Sequence, residues 1–72
     1  MSNPLYWDTP YEIVLALDEM YAHLDLVELS RDDLLDMIVR LPHFVDDPAL
    51  ANDKILDDLL REWYEERGKE WN

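Results

Sequence analysis

The sequence predicts a small all-α domain of three helices, and three observations support that fold class. Of the 72 residues, 49% are hydrophobic, which is enough for one small core despite the high charge. The apolar residues recur at helical spacing in three separate stretches. Helix start and stop signals flank these stretches. A chain of this length holds one core, so we expect residues 1–72 to form a single domain.

The first helix is predicted from Pro10 to about Met20 or Tyr21. Thr9 is placed to cap it through the backbone N–H of Glu12, whose side chain reaches back, and Pro10 takes the first helical position. The preceding residues 1–8 are expected to be a loose lead-in whose apolar centre is able to dock on the core. The predicted buried stripe of the helix consists of Ile13, Ala16, Leu17 and Met20.

The second helix follows a connector, residues 22–29, whose alternating polarity suggests a few extended residues. Ser30 is the predicted N-cap, with Asp33 three residues later, and acidic residues in the first turn suit the helix dipole. Pro42 stops the helix just after Leu41. Its apolar stripe consists of Leu34, Met37, Ile38 and Leu41.

Residues 42–53, the acidic elbow, join the second helix to the third. We predict a short helical turn at 48–51 and the main helix from about residue 52, which Gly68 ends as a left-handed residue before a loose tail, 68–72. The apolar stripe of this helix is Ile55, Leu56, Leu59, Leu60 and Trp63. Three short helices with a tight last connection suggest a winged-helix or helix-turn-helix-like arrangement.

Charge decides which partners fit the chain. Eighteen acidic and six basic residues give a net charge of −12, which repels nucleic acid and anionic membrane surfaces.

The residue composition excludes several kinds of site. The absence of Cys excludes Cys-ligated metal sites and a disulfide framework, and a single Gly excludes phosphate-binding loops. Acidic residues interrupt every apolar run, so we expect no membrane span or signal peptide, and hence a cytoplasmic protein. Strong like charge favours a monomer.

The negative charge is uneven along the chain. Residues 1–30 and the acidic elbow contain no Lys or Arg, whereas the third helix offers the i, i+4 pairs Asp57–Arg61 and Glu65–Lys69. Uncompensated charge opposes folding through self-repulsion. Three explanations stay open: a basic protein partner, a hard cation held by clustered carboxylates, and solubility alone.

Four stretches of the chain also carry a family resemblance. They are Trp7-Asp8-Thr9 with Glu12-Ile13 and Ala16-Leu17, Tyr21 with Leu24-Asp25, Leu41 and Phe44 before Asp46-Asp47-Pro48, and Asn52-Asp53-Lys54-Ile55-Leu56 up to Trp63, Glu65 and Glu66. The chain resembles the IscX family, small acidic proteins of bacterial iron–sulphur cluster assembly, without gaps from about Tyr6 to Glu66. The most specific part is Phe-x-Asp-Asp-Pro followed by Asn-acid-Lys.

The resemblance implies a mostly helical, winged-helix-like fold and an adaptor or regulator, not an enzyme. It implies docking on a basic surface of the cysteine desulfurase IscS, near its active site, which frataxin and ferredoxin also use. It further implies weak binding of Fe²⁺ by exposed carboxylates, with no tightly bound cofactor. Family members usually carry more acids around the Phe, where this chain has Pro42, His43 and Val45. These departures affect iron binding more than partner binding.

The candidate site residues are all carboxylates. Those assigned to partner binding are Asp8, Glu12, Glu19, Asp25, Asp46, Asp47 and Asp53. Those assigned to a metal are Asp46, Asp47, Asp8 and Glu12. Structural alternatives exist, because Asp8 and Glu12 suit the start of the first helix and Asp47 suits a cap. Two adjacent Asp residues supply too few oxygen ligands for a hard cation, so other carboxylates or water must complete the shell.

The leading hypothesis is an acidic adaptor that docks on the desulfurase and modulates sulphur transfer. Two alternatives belong to other classes. One is an iron carrier or sensor, and the other is an acidic decoy that mimics nucleic acid and occupies an unrelated basic protein. No constellation of residues favours an enzyme.

Overall fold

A computed structural model describes residues 4–69, of which Lys69 is described by its backbone only. Within that range the helices are α1, α2 and α3, which span Pro10–Met20, Arg31–Val39 and Asp53–Lys69. Two 3₁₀ turns, Leu26–Glu28 and Pro48–Leu50, lie in the connections. The described residues form no strand, only an isolated parallel bridge between Leu5 and Phe44. The all-α fold class is confirmed. The winged-helix arrangement is not, since residues 4–69 contain no β-hairpin.

The core lies where α1 and α2 pack on α3. Trp63 of α3 is the largest side chain that is completely buried. Around it lie the buried residues Leu5, Trp7, Ile13, Val14, Leu17, Leu26, Leu34, Ile38, Leu41, Leu56 and Leu59. Met20 was predicted in the buried stripe of α1 but is 53% exposed, and Val14 is buried instead. No helix in the described part of the chain is long and apolar enough to cross a bilayer.

The start of α1 differs from the predicted capping box. Pro10 is the first helical residue, as predicted, but Thr9 makes no side-chain cap to α1. Its hydroxyl instead accepts from the Tyr6 N–H at 3.2 Å and donates to the Tyr6 carbonyl at 2.9 Å. The capping prediction was wrong because this hydroxyl closes the turn that leads into the helix.

The start of α2 is capped as predicted. The Ser30 hydroxyl accepts from the Asp33 N–H at 3.1 Å. The helix ends at Val39, two residues before the predicted Leu41. The connector before it has extended residues, as predicted, at Asp25 and Leu29. Between them lies a 3₁₀ turn that was not predicted, which the Asp25 carboxylate initiates by accepting from the Val27 N–H at 3.0 Å.

The second 3₁₀ turn lies within the predicted short turn, and Asn52 caps α3 by accepting from the Ile55 N–H at 2.9 Å. Gly68, however, lies inside α3 and has no positive φ, so the predicted left-handed stop was wrong. A helical Gly costs about 1 kcal/mol relative to Ala. The Arg67 side chain offsets this cost, since it anchors the last turn to the Tyr21 and Leu24 carbonyls.

The lead-in is attached to the acidic elbow. The Leu5 N–H donates to the His43 carbonyl at 2.7 Å, and the Val45 N–H donates to the Leu5 carbonyl at 3.1 Å. The Trp7 ring is buried and meets Phe44 edge-on, with 4.9 Å between ring centroids. The predicted docking of the lead-in on the core is confirmed for Leu5 and Trp7, and the expected looseness is corrected from Leu5 onward. The rest of that expectation, residues 1–3, and the tail 70–72 lie outside the described residues.

Candidate partner-binding surface

Three of the predicted acids point away from the core. Asp8, Glu12 and Glu19 are exposed, and none makes a hydrogen bond or ion pair with another described residue. Glu12 and Glu19 are seven residues apart, so they lie on the same side of α1, two turns apart. The exposed Leu15 lies between them, opposite the buried stripe. We call Glu12, Leu15 and Glu19 the α1 face.

Asp46 and Asp47 of the elbow accept hydrogen bonds from backbone N–H groups. Asp46 accepts from the Trp7 N–H at 3.0 Å through one oxygen and from the Asp47 N–H at 2.7 Å through the other. Asp47 accepts from the Ala49 N–H at 2.9 Å and so caps the second 3₁₀ turn. The structural alternative foreseen for Asp47 is confirmed. Sequence reasoning missed that Asp46 fastens the lead-in, because its partner Trp7 is 39 residues away.

The two remaining candidates lie elsewhere. Asp25 caps the first 3₁₀ turn and lines a shallow hollow with Arg67 near the end of α3. Asp53 begins α3, and its exposed carboxylate is 3.9 Å from the Arg31 guanidinium. The structure places Asp8 beside the elbow acids, because Asp46 holds the N–H of the adjacent Trp7, and it places Glu12 and Glu19 on the side of α1. Asp25 and Asp53 lie at the two other positions, near Arg67 and Arg31.

Three exposed bases on or next to α2 and α3 form ion pairs with acids, whereas the exposed Arg61 forms none with a described residue. Arg31 holds Asp57 with two hydrogen bonds, of 2.8 and 3.0 Å, between the two helices. The Arg31 hydrogen bond lowers the pKa of the Asp57 carboxyl, and the same bond raises the pKa of the guanidinium. Asp57 had been predicted to pair with Arg61 on its own helix. Two i, i+4 pairs add to this set, Lys54–Asp58 at 3.0 Å and Arg40–Asp36 at 3.1 Å.

A partly buried ion pair connects the end of α3 to α1. Arg67 and Asp18 are only 19% and 14% exposed, and their charged atoms lie 3.3 Å apart. The same Asp18 oxygen accepts from the Trp63 indole N–H at 3.1 Å, and the guanidinium lies 5.3 Å from that ring's centroid. The charge pattern does not reveal this cluster, because Asp18 lies within residues 1–30, which contain no Lys or Arg. The i, i+4 spacing of Trp63 and Arg67 was the only local signal.

The predicted metal ligands do not form a ready-made site. Among residues 4–69, no three His, Asp or Glu side chains lie close enough together to hold a metal ion. Asp46 already uses both oxygens for backbone N–H groups. Hard cations need many oxygen ligands: Ca²⁺ binds six to eight and Mg²⁺ binds six. Weak binding of Fe²⁺ stays a prediction, and water would have to supply most of its ligands.

Comparison with known proteins gives two findings. The family model for iron–sulphur cluster assembly matches residues 5–68. An uncharacterized protein of Pseudomonas aeruginosa is 36% identical over 63 residues, which is 88% of this chain and 96% of that protein. No solved structure matches the chain.

Proposed function

Because the chain belongs to the IscX family of iron–sulphur cluster assembly proteins, we propose that it is an acidic adaptor for a cysteine desulfurase. The α1 face carries this proposal. Its two glutamates are exposed and unpaired within the described structure, and neither residues 1–30 nor the elbow contains a Lys or Arg. Such a surface fits a basic patch on a partner.

The mode of action follows from the charge. A net charge of −12 with an uncompensated face creates a field that steers a basic partner into encounter. Exposed charges at the edge of an interface act mainly on association rate and on salt dependence. We propose that the protein regulates sulphur transfer by occupying the basic surface, in competition with frataxin and ferredoxin. The adaptor acts as a cytoplasmic monomer and is not itself an enzyme.

Fe²⁺ binding is the secondary part of the proposal. Of the four predicted metal ligands, Asp8 and Glu12 have carboxylates that no described residue occupies. They lie at the start of α1, whose positive end stabilises the carboxylates and opposes a bound cation, which is consistent only with weak binding. We propose that Fe²⁺ binds there weakly, with water completing its coordination. An iron carrier would need a stronger site, and the acidic decoy has only the charge in its favour.

The test is a calorimetric titration of the protein into the cysteine desulfurase of its own host. It is run at low and physiological salt, with and without Fe²⁺ under anaerobic conditions. We expect binding that weakens clearly with salt, since screening shortens the reach of exposed charges. A change in affinity for the desulfurase when Fe²⁺ is present would show that binding of the metal and binding of the partner are coupled. An absence of binding under every condition would overturn the adaptor proposal.

A matched pair of variants separates the α1 face from overall charge. The double substitution Glu12→Gln and Glu19→Gln removes two charges from the face. Glu28→Gln with Glu65→Gln removes two exposed charges elsewhere. We expect about three- to tenfold weaker binding for the first variant, because an exposed ion pair contributes up to roughly 1 kcal/mol. The control should lose less than about twofold. Equal losses would show that net charge, not this face, is recognised.

A further inference from the structure

A small groove lies between α1 and the first residues of the elbow. Leu5 and Leu41, both buried, form its floor. Met20 and Glu19 border it on the α1 side, and His43 borders it on the elbow side. Its volume is about 220 Å³, below the roughly 300–1,000 Å³ of small-molecule pockets. The groove therefore suits one side chain of a protein rather than a metabolite.

Met20 is the first feature that points to a partner. It occupies a position in α1 that helical spacing assigns to the buried stripe, yet the side chain is 53% exposed at the edge of the groove. Exposed methionines are common on surfaces that adapt to partners, because the unbranched side chain repacks easily. An apolar group seated beside Met20 would remove both its surface and the groove floor from water.

Glu19 is the second feature. It lies in the last turn of α1, which has no basic residue, and a negative charge at a helix C-terminus opposes the helix dipole. No described residue pairs with it. The groove therefore combines an apolar floor with an unpaired negative charge at its rim. None of its lining residues is a Lys or Arg.

From this complementarity we propose that the groove receives one apolar side chain of the desulfurase, flanked by a Lys or Arg that pairs with Glu19. The inference rests on the proposed function and names the contact through which docking occurs. The apolar side chain supplies salt-independent affinity, whereas the flanking base supplies the salt-dependent part. A second copy of this chain is a poorer occupant, because two protomers of charge −12 repel each other.

The test compares groove variants in the same titration into the desulfurase. Met20→Ser removes the apolar edge, and Ala16→Leu fills the groove from α1 without changing charge. Val27→Ser is the matched control, since Val27 is 79% exposed and lies outside the groove. We expect five- to tenfold weaker binding for both groove variants, about equally at low and high salt. The control should bind like the wild type. The loss for Glu19→Gln should shrink as salt rises.

Thermal unfolding of each variant verifies that it is folded. Wild-type protein that fails to bind the desulfurase would overturn the adaptor proposal and this inference together. Binding that is lowered by Glu12→Gln with Glu19→Gln, but is the same for Met20→Ser, Ala16→Leu and the control, would overturn the groove alone. Wild-type dimers in sedimentation that Ala16→Leu abolishes would also overturn it, because the occupant would then be a second copy.

Discussion

The two sides of this molecule use their charges differently. On α2 and α3, four basic residues are each matched by a carboxylate: Arg31, Arg40, Lys54 and Arg67. On the α1 face the acids have no partner among the described residues, and in the elbow Asp46 and Asp47 accept only backbone N–H groups. The first arrangement stabilises the fold, whereas the second leaves a field available to a partner. Exposed acids without a described partner also occur on α2 and α3, among them Asp32 and Glu65, so the two sides differ in their bases, which residues 1–30 lack.

The paired side is itself not uniform. Exposed ion pairs contribute about 0–1 kcal/mol, so Lys54–Asp58 and Arg40–Asp36 matter little to stability. The Asp18–Arg67 pair is different because both groups are largely withdrawn from water and Asp18 also accepts from Trp63. Removing one member of such a pair leaves a poorly solvated charge behind. The contrast between the two sides should therefore be strongest at this pair.

The largest expected effect is that of Arg67→Met. The substitution keeps an apolar stem but removes the donor to Asp18 and to the Tyr21 and Leu24 carbonyls. We expect the free energy of unfolding to fall by about 1–3 kcal/mol, because a largely desolvated carboxylate loses its counter-charge. Urea denaturation followed by Trp fluorescence measures the change.

The control for this prediction is Arg61→Met, which removes an exposed base from the same helix. Its effect should stay within about 0.5 kcal/mol. Similar losses for both substitutions would mean that the end of α3 is not fastened by its ion pair. The paired side would then contribute no more to stability than any exposed set of charges.

The second prediction separates acids that were assigned the same role from sequence. Asp46→Ala removes the acceptor of the Trp7 and Asp47 N–H groups, so we expect a loss of about 1–2 kcal/mol. Asp8→Ala removes an exposed carboxylate with no described partner and should change stability by less than about 0.5 kcal/mol. Thermal unfolding measures both.

Affinity for the desulfurase is a second measurement that distinguishes Asp46→Ala from Asp8→Ala. If Asp46 acts only by holding the lead-in, Asp46→Ala should lower the free energy of unfolding. Asp8→Ala should instead lower the affinity for the desulfurase. An Asp46→Ala protein as stable as the wild type would show that the elbow acid is free for a ligand. Asp46 would then again be a candidate for binding a partner or a metal.

The fold was largely predictable because its signals are local. Ser30 followed by Asp33, Pro10 at a helix start, and the stripe ending in Trp63 each specify an element through neighbours on the same helix. The predictions that were wrong concern positions whose local structure depends on contacts beyond the same helix. Thr9 bonds to the lead-in instead of capping, and Gly68 stays helical because Arg67 reaches across to the connector after α1.

The candidate surface was predictable only in part, for a related reason. Exposure of Glu12 and Glu19 follows from helical spacing on α1, so their common side was implicit in the sequence. The occupation of Asp46 and the burial of Asp18 depend on contacts 39 and 45 residues apart. Charge counting treats all these acids alike, whereas burial and donors decide which of them a partner meets.

The smallest expected effect lies at the exposed pair between α2 and α3. Arg31 lowers the pKa of Asp57 below its ordinary value of 3.8, so the pair's stabilisation is present above pH 3.8 and is lost as the pH falls through the lowered folded-state value. Following the Asp57 carboxyl by NMR, we expect Arg31→Gln to return its titration midpoint toward 3.8. Arg40→Gln, which removes an exposed base paired with Asp36, should leave the Asp57 midpoint unchanged. A midpoint indifferent to Arg31→Gln would mean that Asp57 is no better matched than the acids of the α1 face. The contrast between the two sides would then rest on the other pairs, above all on Asp18–Arg67.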